Sequence, residues 1–298
     1  MCNSGNNVAF NRDQCMVTNG NGTRLFVANR RGNLYKIDMS ELSDQKVSCL
    51  MTLKEDHWLW HRKCGHTSLE LLSKLQKYSL VRGLPNMSFK DNLLCESCVK
   101  GKQVKSSFKS KDEVSTQRPL ELIHLDLFGP TRTASISGKR YGLVIVDDYS
   151  RWTWVNFLNH KDESFKVFCK FLNQVQNEKG ISIIAIRSDH GREFENENFR
   201  VFCENNGINH NFSTSRTPQQ NGIVERKNRS LQEMARTMLN ANSTPKHFWA
   251  EAINTACYLQ NRIYIRPLIK KTPYELWKNK KTNISYFHPF GVIMFHSE

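Results

Sequence analysis

The sequence predicts an α/β fold: a mixed five-stranded sheet with flanking helices, preceded by a small helical module. Three observations predict it. Strand-like runs follow one another at Leu120–Leu127, Tyr141–Asp147 and Arg151–Leu158. Helical and strand-like patterns then alternate, the order expected of a mixed sheet with helices packed on it. Ahead of them, Leu59, Leu69, Leu72 and Leu75 recur near helical spacing.

Taken in order, residues 1–50 are rich in Asn and Gly, with short alternating runs at Thr23–Val27 and Asn33–Ile37. They predict a hairpin around Asn29–Gly32, too small to form a domain. Residues 51–105 predict one or two short helices in a compact module. Residues 106–118 belong to the stretch Lys100–Arg118, whose six basic residues against two acids read as a linker or a DNA-tracking arm.

The main domain is expected over residues 119–285, with a tail at 286–298. After the first three strands, Phe165, Phe168, Phe171, Leu172 and Val175 predict a helix over Glu163–Lys179. Ile181–Ile186 is nearly continuous in apolar residues and predicts a strand buried on both faces. A helix over Phe194–Asn205 should stop at Gly207, and Ile208–Phe212 is the fifth strand. Helices over Gln219–Leu239 and Pro245–Arg262 close the domain.

Composition narrows the function. The 298 residues carry a formal charge of +15, and 39% are hydrophobic, which excludes a wholly disordered chain. No apolar run is long enough for a membrane helix, and the start has no signal-peptide pattern. An intracellular protein with an anionic partner is expected, nucleic acid first among the candidates. Nine cysteines are too few, and odd in number, for a disulfide scaffold.

Spacing singles out two constellations. His61 and His66 form His-x4-His, and a 28-residue gap leads to Cys95-x-x-Cys98. Two histidines about one helical turn apart are expected to share a face, and Cys-x-x-Cys is a chelating turn. Four N/S ligands suit a closed, structural Zn²⁺ site, with Cys64 as an alternative ligand. Cys169, Cys203 and Cys257 sit in helical apolar patterns and read as core.

The second constellation is acidic. Asp126 lies near the end of the first strand, Asp189 follows the fourth, and Glu225 opens a helix, with 35 residues between the last two. Carboxylates meeting at strand ends suit a hard divalent cation, Mg²⁺ or Mn²⁺, and a pair of such ions suits phosphoryl displacement. At 100° per residue Glu225, Asn228, Arg229, Gln232 and Arg236 share one helical face, while Ile223, Leu231, Met234, Ala235 and Met238 share the other. His190 and Glu193 flank Asp189 and are candidates to assist. Asp147 and Asp148 read as solvated turn formers. The basic run Arg262–Lys281 reads as a solvated face or a second phosphate track, and the tryptophans as core.

These residues together resemble the integrase segment of copia-type long-terminal-repeat retrotransposon polyproteins, particularly those of plants. The likeness rests on Leu59-Trp60-His61, Gly65-His66, Cys95–Lys102, the Asp126 motif, Arg187–Phe194, Gln219–Arg229 and Lys271–Trp277, and it covers nearly the whole chain. It implies a zinc-binding pre-integrase module (His61, His66, Cys95, Cys98) and an RNase H-like core with the triad Asp126, Asp189 and Glu225. It implies joining of element cDNA 3′ ends to host DNA by multimers, in the nucleus after a cytoplasmic particle stage. Lys227, Asn228, Arg229 and Arg236 are the DNA contacts it leads us to expect. The run after Gly291 and the missing protease, reverse-transcriptase and basic flanking segments lead us to expect a truncated copy. The competing expectation is a silent remnant that binds nucleic acid through its module and basic surface.

Overall fold

The structure, a computed structural model, describes residues 7–31, 34–36, 57–89, 95–101, 116–212 and 221–291. Most of the linker 106–118, Cys2, Cys49, Gln219, Gln220 and residues 292–298 of the tail lie outside them. Contacts divide the chain into two units, Met1–Lys54 and Glu55–Glu298.

The first unit is an antiparallel meander of four strands: β1 (Asn7–Phe10), β2 (Gln14–Thr18), β3 (Arg24–Arg31) and β4 (Leu34–Lys36). The expected hairpin is the β3–β4 pair, with Asn29 opposite Lys36. The two strands before it are additional, and make the segment a unit rather than a lone hairpin. They are hard to read because β1 is mostly exposed and lacks an apolar alternation. The turns instead carry the signal. Asn11 accepts the amides of Asp13 and Gln14, and Asn19 those of Asn21 and Thr23. Cys15, Val17 and Ala28 form its small core.

The second unit opens with α1 (His57–Lys63), α2 (Leu69–Lys77), the short strand β5 (Val81–Arg82) and α3 (Glu96–Gly101). A five-stranded sheet follows, built from β6 (Leu122–Phe128), β7 (Tyr141–Asp147), β8 (Thr153–Leu158), β9 (Ala185–Ser188) and β10 (Asn209–Phe212). Its order is β10-β9-β6-β7-β8. The meander β6-β7-β8 is antiparallel, while β9 and β10 run parallel to β6. The helices are α4 (Glu163–Lys179), α5 (Glu197–Asn205), α6 (Gly222–Ala241), α7 (Trp249–Ile263) and α8 (Pro273–Lys278), and β11 (Thr282–Asn283) pairs with β5.

Strand alternation sorts the two faces. Ile123, Leu125, Leu143 and Ile145 meet Phe168, Phe171 and Leu172 of α4, and Phe199 and Cys203 of α5. Val144 and Val146 face the opposite way, toward Leu231 and Met234 of α6 and Ile253 and Ala256 of α7. Trp277 of α8 is buried in the first core, against Trp152 and Trp154. The Thr-Pro-x-Glu sequence there is a capping box: Thr272 accepts the Glu275 amide, and Glu275 accepts the Thr272 amide.

Two expectations are corrected. The run Ile181–Ile186 is not a doubly buried strand. Its first four residues precede β9, Ile181 and Ile184 are exposed, and Ile183 and Ile186 are buried. Asp147 and Asp148 are not solvated turn formers; both are fully buried. Asp147 accepts the Leu120 amide and both the amide and hydroxyl of Ser150. Asp148 accepts from Thr116, His124 and Arg151, which hold its carboxyl low against the opposing effect of burial. Burial lowers the His124 pKa against the pull of Asp148, and since a carboxylate only accepts, the His124 Nε2–H is the donor.

The described part of the segment 51–105 packs into the main core. Trp60, Cys64, Leu69, Leu72 and Leu75 share one core with Val224, Leu231, Met234 and Met238 of α6.

Candidate active site and metal centre

Parallel pairing brings two of the acids together. His124 of β6 lies opposite Arg187 of β9, so the same register carried two residues onward sets Asp126 beside Asp189, just past the end of β9. Helix α6 crosses this end of the sheet. Its Asn221 side chain donates to the Leu125 carbonyl, and its Asn228 donates to Asp126 Oδ2 at 2.7 Å.

Asp126, Glu225, Asn228, Arg229, Gln232 and Arg236 line a cleft of about 260 Å³, so the expected polar face of α6 looks into it. Burial raises the Asp126 carboxyl, with the charges of Asp189 and Glu193 adding to the effect and Asn228 opposing it. Glu225 is raised by burial and by the charges of Asp126 and Asp189. Among the described residues no Lys or Arg pairs with any of the three acids. Arg226 and Arg229 oppose the shift of Glu225 without forming an ion pair with it, and carboxylates that repel one another in this way are a donor set that a hard divalent ion fits. Asp126 and Glu225 line the cleft and Asp189 lies within charge range of both, but the three do not close to the mutual spacing of the His/Cys group.

Of the expected DNA contacts, Arg229 and Arg236 line the cleft. Asn228 instead orients Asp126, and Gln232 donates to Asn228 Oδ1 at 2.7 Å. Lys227 lies off that face, its ammonium 5.5 Å from the Tyr264 ring, with burial pushing it down to about 8. A residue two positions from Glu225 is turned 200° away on a helix, which the sequence already allowed. His190 pairs with Glu195 and Glu193 lies 3.5 Å from Lys161, although the Glu193 charge reaches Asp126.

The metal-ligating atoms of His61, His66, Cys95 and Cys98 all lie within 4.8 Å of one another. His61 Nδ1 is 2.7 Å from the Thr67 carbonyl, so that nitrogen carries the proton and Nε2 is the ligating atom. Nε2 lies 3.5 Å from Cys98 Sγ, and His66 Nδ1 lies 3.4 Å from Cys95 Sγ. Zinc bond lengths in a tetrahedron require N-to-S separations of about 3.6 Å. The two nitrogens and two sulfurs therefore fit Zn²⁺.

The histidines do not share a helical face. Five residues turn a helix by about 500°, which puts the second position 140° off the first. Helix α1 ends at Lys63, and Gly65 and His66 both take left-handed backbone at φ 65° and 60°, which brings the second ring back to the first. Cys64 points elsewhere: it is fully buried in the apolar core, where burial pushes its thiol up to about 12. Of the cysteines expected in the core, Cys203 and Cys257 are buried and Cys169 is half-buried.

The fold is a mixed α/β core with an acidic cleft at one end of its sheet and a separate His/Cys centre. Comparison with known proteins agrees. A GAG-pre-integrase domain matches residues 33–103 and an integrase core domain matches residues 116–218. The first span contains all four His/Cys residues, and the second contains Asp126 and Asp189 and ends before Glu225.

The retrovirus-related Pol polyprotein from transposon TNT 1-94 of Nicotiana tabacum is 36% identical over 265 residues, covering 89% of this chain and 20% of that one. The corresponding polyprotein from transposon RE2 of Arabidopsis thaliana is 31% identical over 278 residues, covering 92% of this chain and 18% of that one. The chain belongs to the integrase region of this plant retrotransposon Pol family, and spans about a fifth of its curated relatives.

Among solved structures, the HTLV-2 integrase catalytic core domain in complex with magnesium (trimeric form) is 20% identical with a TM-score of 0.40, over 53% of this chain and 97% of that one. The simian T-cell lymphotropic virus intasome in complex with PP2A regulatory subunit B56 gamma gives 15% and 0.43, over 61% and 64%. No described helix is long and apolar enough to cross a membrane.

Proposed function

We propose that the chain joins DNA 3′ ends to target DNA, with Asp126, Asp189 and Glu225 holding Mg²⁺ or Mn²⁺ and His61, His66, Cys95 and Cys98 holding a structural Zn²⁺. One observation carries the reading. The β6–β9 register and the α6 crossing put Asp189 within charge range of Asp126 and Glu225, which line a cleft that continues into Arg229 and Arg236.

Divalent ions there would supply a Lewis acid for attack of a DNA 3′-hydroxyl on a phosphodiester. The chain's own residues do the remaining work. Asn228 holds Asp126 by its hydrogen bond to Oδ2. Arg229 and Arg236, seven residues and so two turns apart on one face, offer guanidinium forks to successive phosphates. Burial around Asp126 strengthens its interaction with a cation.

The physiological ends are those of the element's cDNA, and the target is host DNA in the nucleus. Concerted insertion of two ends requires two such clefts, hence a multimer on DNA. The test is a strand-transfer assay with labelled duplex ends and a plasmid in Mg²⁺ or Mn²⁺. Joined product that disappears in Asp189→Asn and Glu225→Gln supports the reading. A folded, zinc-loaded chain that binds DNA and joins nothing overturns it in favour of a silent nucleic-acid-binding remnant.

A further inference from the structure

We propose that Gly101 and Thr237 are positioning residues that seat the metal-bearing helix α3 on α6, so that the His/Cys centre holds the catalytic helix in the same chain. The proposal rests on the zinc reading above and extends it to the carboxylate cleft.

Helix α3 begins immediately after Cys95, contains Cys98 and ends at Gly101. A methyl group on Gly101 would lie 2.8 Å from the Thr237 Cα and from its backbone nitrogen, and closer still to its hydroxyl oxygen. Two backbones therefore touch where only hydrogen fits. Thr237 is fully buried and its hydroxyl, which lies in the seam, donates to the Glu233 carbonyl at 2.8 Å, so it is satisfied within α6.

The turn that carries His66 is seated the same way. A methyl on Gly65 would lie 2.8 Å from Leu259 Cδ1 of α7 and 3.1 Å from Met234 Sδ of α6. A third tie is the parallel pairing of β5 with β11. Both ligand-bearing turns thus rest on the helix pair that covers the catalytic sheet.

The seat matters because α6 is covered from two sides. Val144 and Val146 of the sheet meet it on one, and Trp60, Leu72 and Leu75 of the module complete the same core on the other. Val224 belongs to that core and directly precedes Glu225. A six-residue α3 and a left-handed turn at His66 have little intrinsic stability, so the metal must supply it. Losing the metal unseats α3, uncovers the buried stripe of α6, and frees the helix that carries Glu225 and Asn228.

The test is hydrogen exchange on the full chain, zinc-loaded and zinc-stripped, with Mn²⁺ binding at the carboxylates read by electron paramagnetic resonance. The expected result is that stripping zinc releases the amides of Gly222–Ala241 together with those of residues 57–101. Mn²⁺ affinity should fall about tenfold, and Gly101→Val should reproduce that fall with zinc still bound. Gly101→Ala should weaken Mn²⁺ less, and adding Thr237→Ala should restore part of the loss, which a merely destabilised fold would not do.

Release confined to residues 57–101, with Mn²⁺ affinity unchanged in the stripped chain and in Gly101→Val, overturns the proposal. A chain that takes up no zinc overturns the zinc reading instead, and the Gly101→Val arm still decides the seat.

Discussion

Removing the Asp148 side chain tests the buried network at the base of the sheet. Asp148 accepts the Thr116 hydroxyl at 2.8 Å, His124 Nε2–H at 3.0 Å and Arg151 Nη1 at 2.6 Å. Asp148→Ala leaves all three donors facing an apolar hole. Hydrogen bonds to a charged group contribute about 1.5–3 kcal/mol each. Simple addition overstates the loss, because Arg151 is 28% exposed and water can reach it. Breaking a buried charge pair costs about 3–5 kcal/mol. For a unit of this size that lowers Tm by about 6–20 °C.

The sign with pH follows from the carboxyl being held low. Its stabilisation is present above the ordinary carboxylate pKa and is lost as pH falls below it. The gap between wild type and variant should therefore narrow in acid. Asp148→Asn should cost less, because His124 can exchange tautomers and accept from the amide. Thermal unfolding by circular dichroism reads the difference. A change below about 1 kcal/mol, as for a surface turn residue, would refute the reasoning.

Three further outcomes follow. Cys98→Ser should abolish stoichiometric zinc by elemental analysis, whereas Cys64→Ser should retain it and lose only packing. Lys227→Met should leave DNA affinity and its salt dependence unchanged, while Arg229→Ala or Arg236→Ala should each reduce the salt slope by about 1 in filter binding. Asp126→Asn should raise Tm at pH 7 without added divalent ion. A raised folded-state pKa means the contribution is present below the ordinary carboxylate pKa and lost as pH rises. The same variant should not gain in acid, and Mn²⁺ should no longer raise its Tm; scanning calorimetry at two pH values checks both.

What the sequence made legible was the local chemistry. The helix over Glu163–Lys179 and the strand Tyr141–Asp147 coincide with α4 and β7, because the first keeps a helical apolar period and the second is a continuous apolar run buried on both faces. The polar face of α6 was readable because its buried stripe is unbroken, as Leu231, Met234, Ala235 and Met238 show. The partner of each polar group was not readable, because it lies far along the chain. Asn228 reads as a phosphate contact until β6 brings Asp126 to it from 102 residues away. Asp147 and Asp148 read as a solvated turn until Leu120, Thr116 and His124 close over them. His66 required a left-handed turn that helical spacing cannot express.

The central claim is that the carboxylate cleft uses a DNA 3′-hydroxyl, not water alone, as its nucleophile. The most direct measurement offers the purified chain two otherwise identical duplexes in Mn²⁺, one ending in a 3′-hydroxyl and one in a 3′-deoxy sugar, with a plasmid target. The account predicts joined product from the first, none from the second, and none from either with Asp126→Asn. Nicking of the plasmid without joining, equal for both duplexes, would contradict it and leave a hydrolytic nuclease.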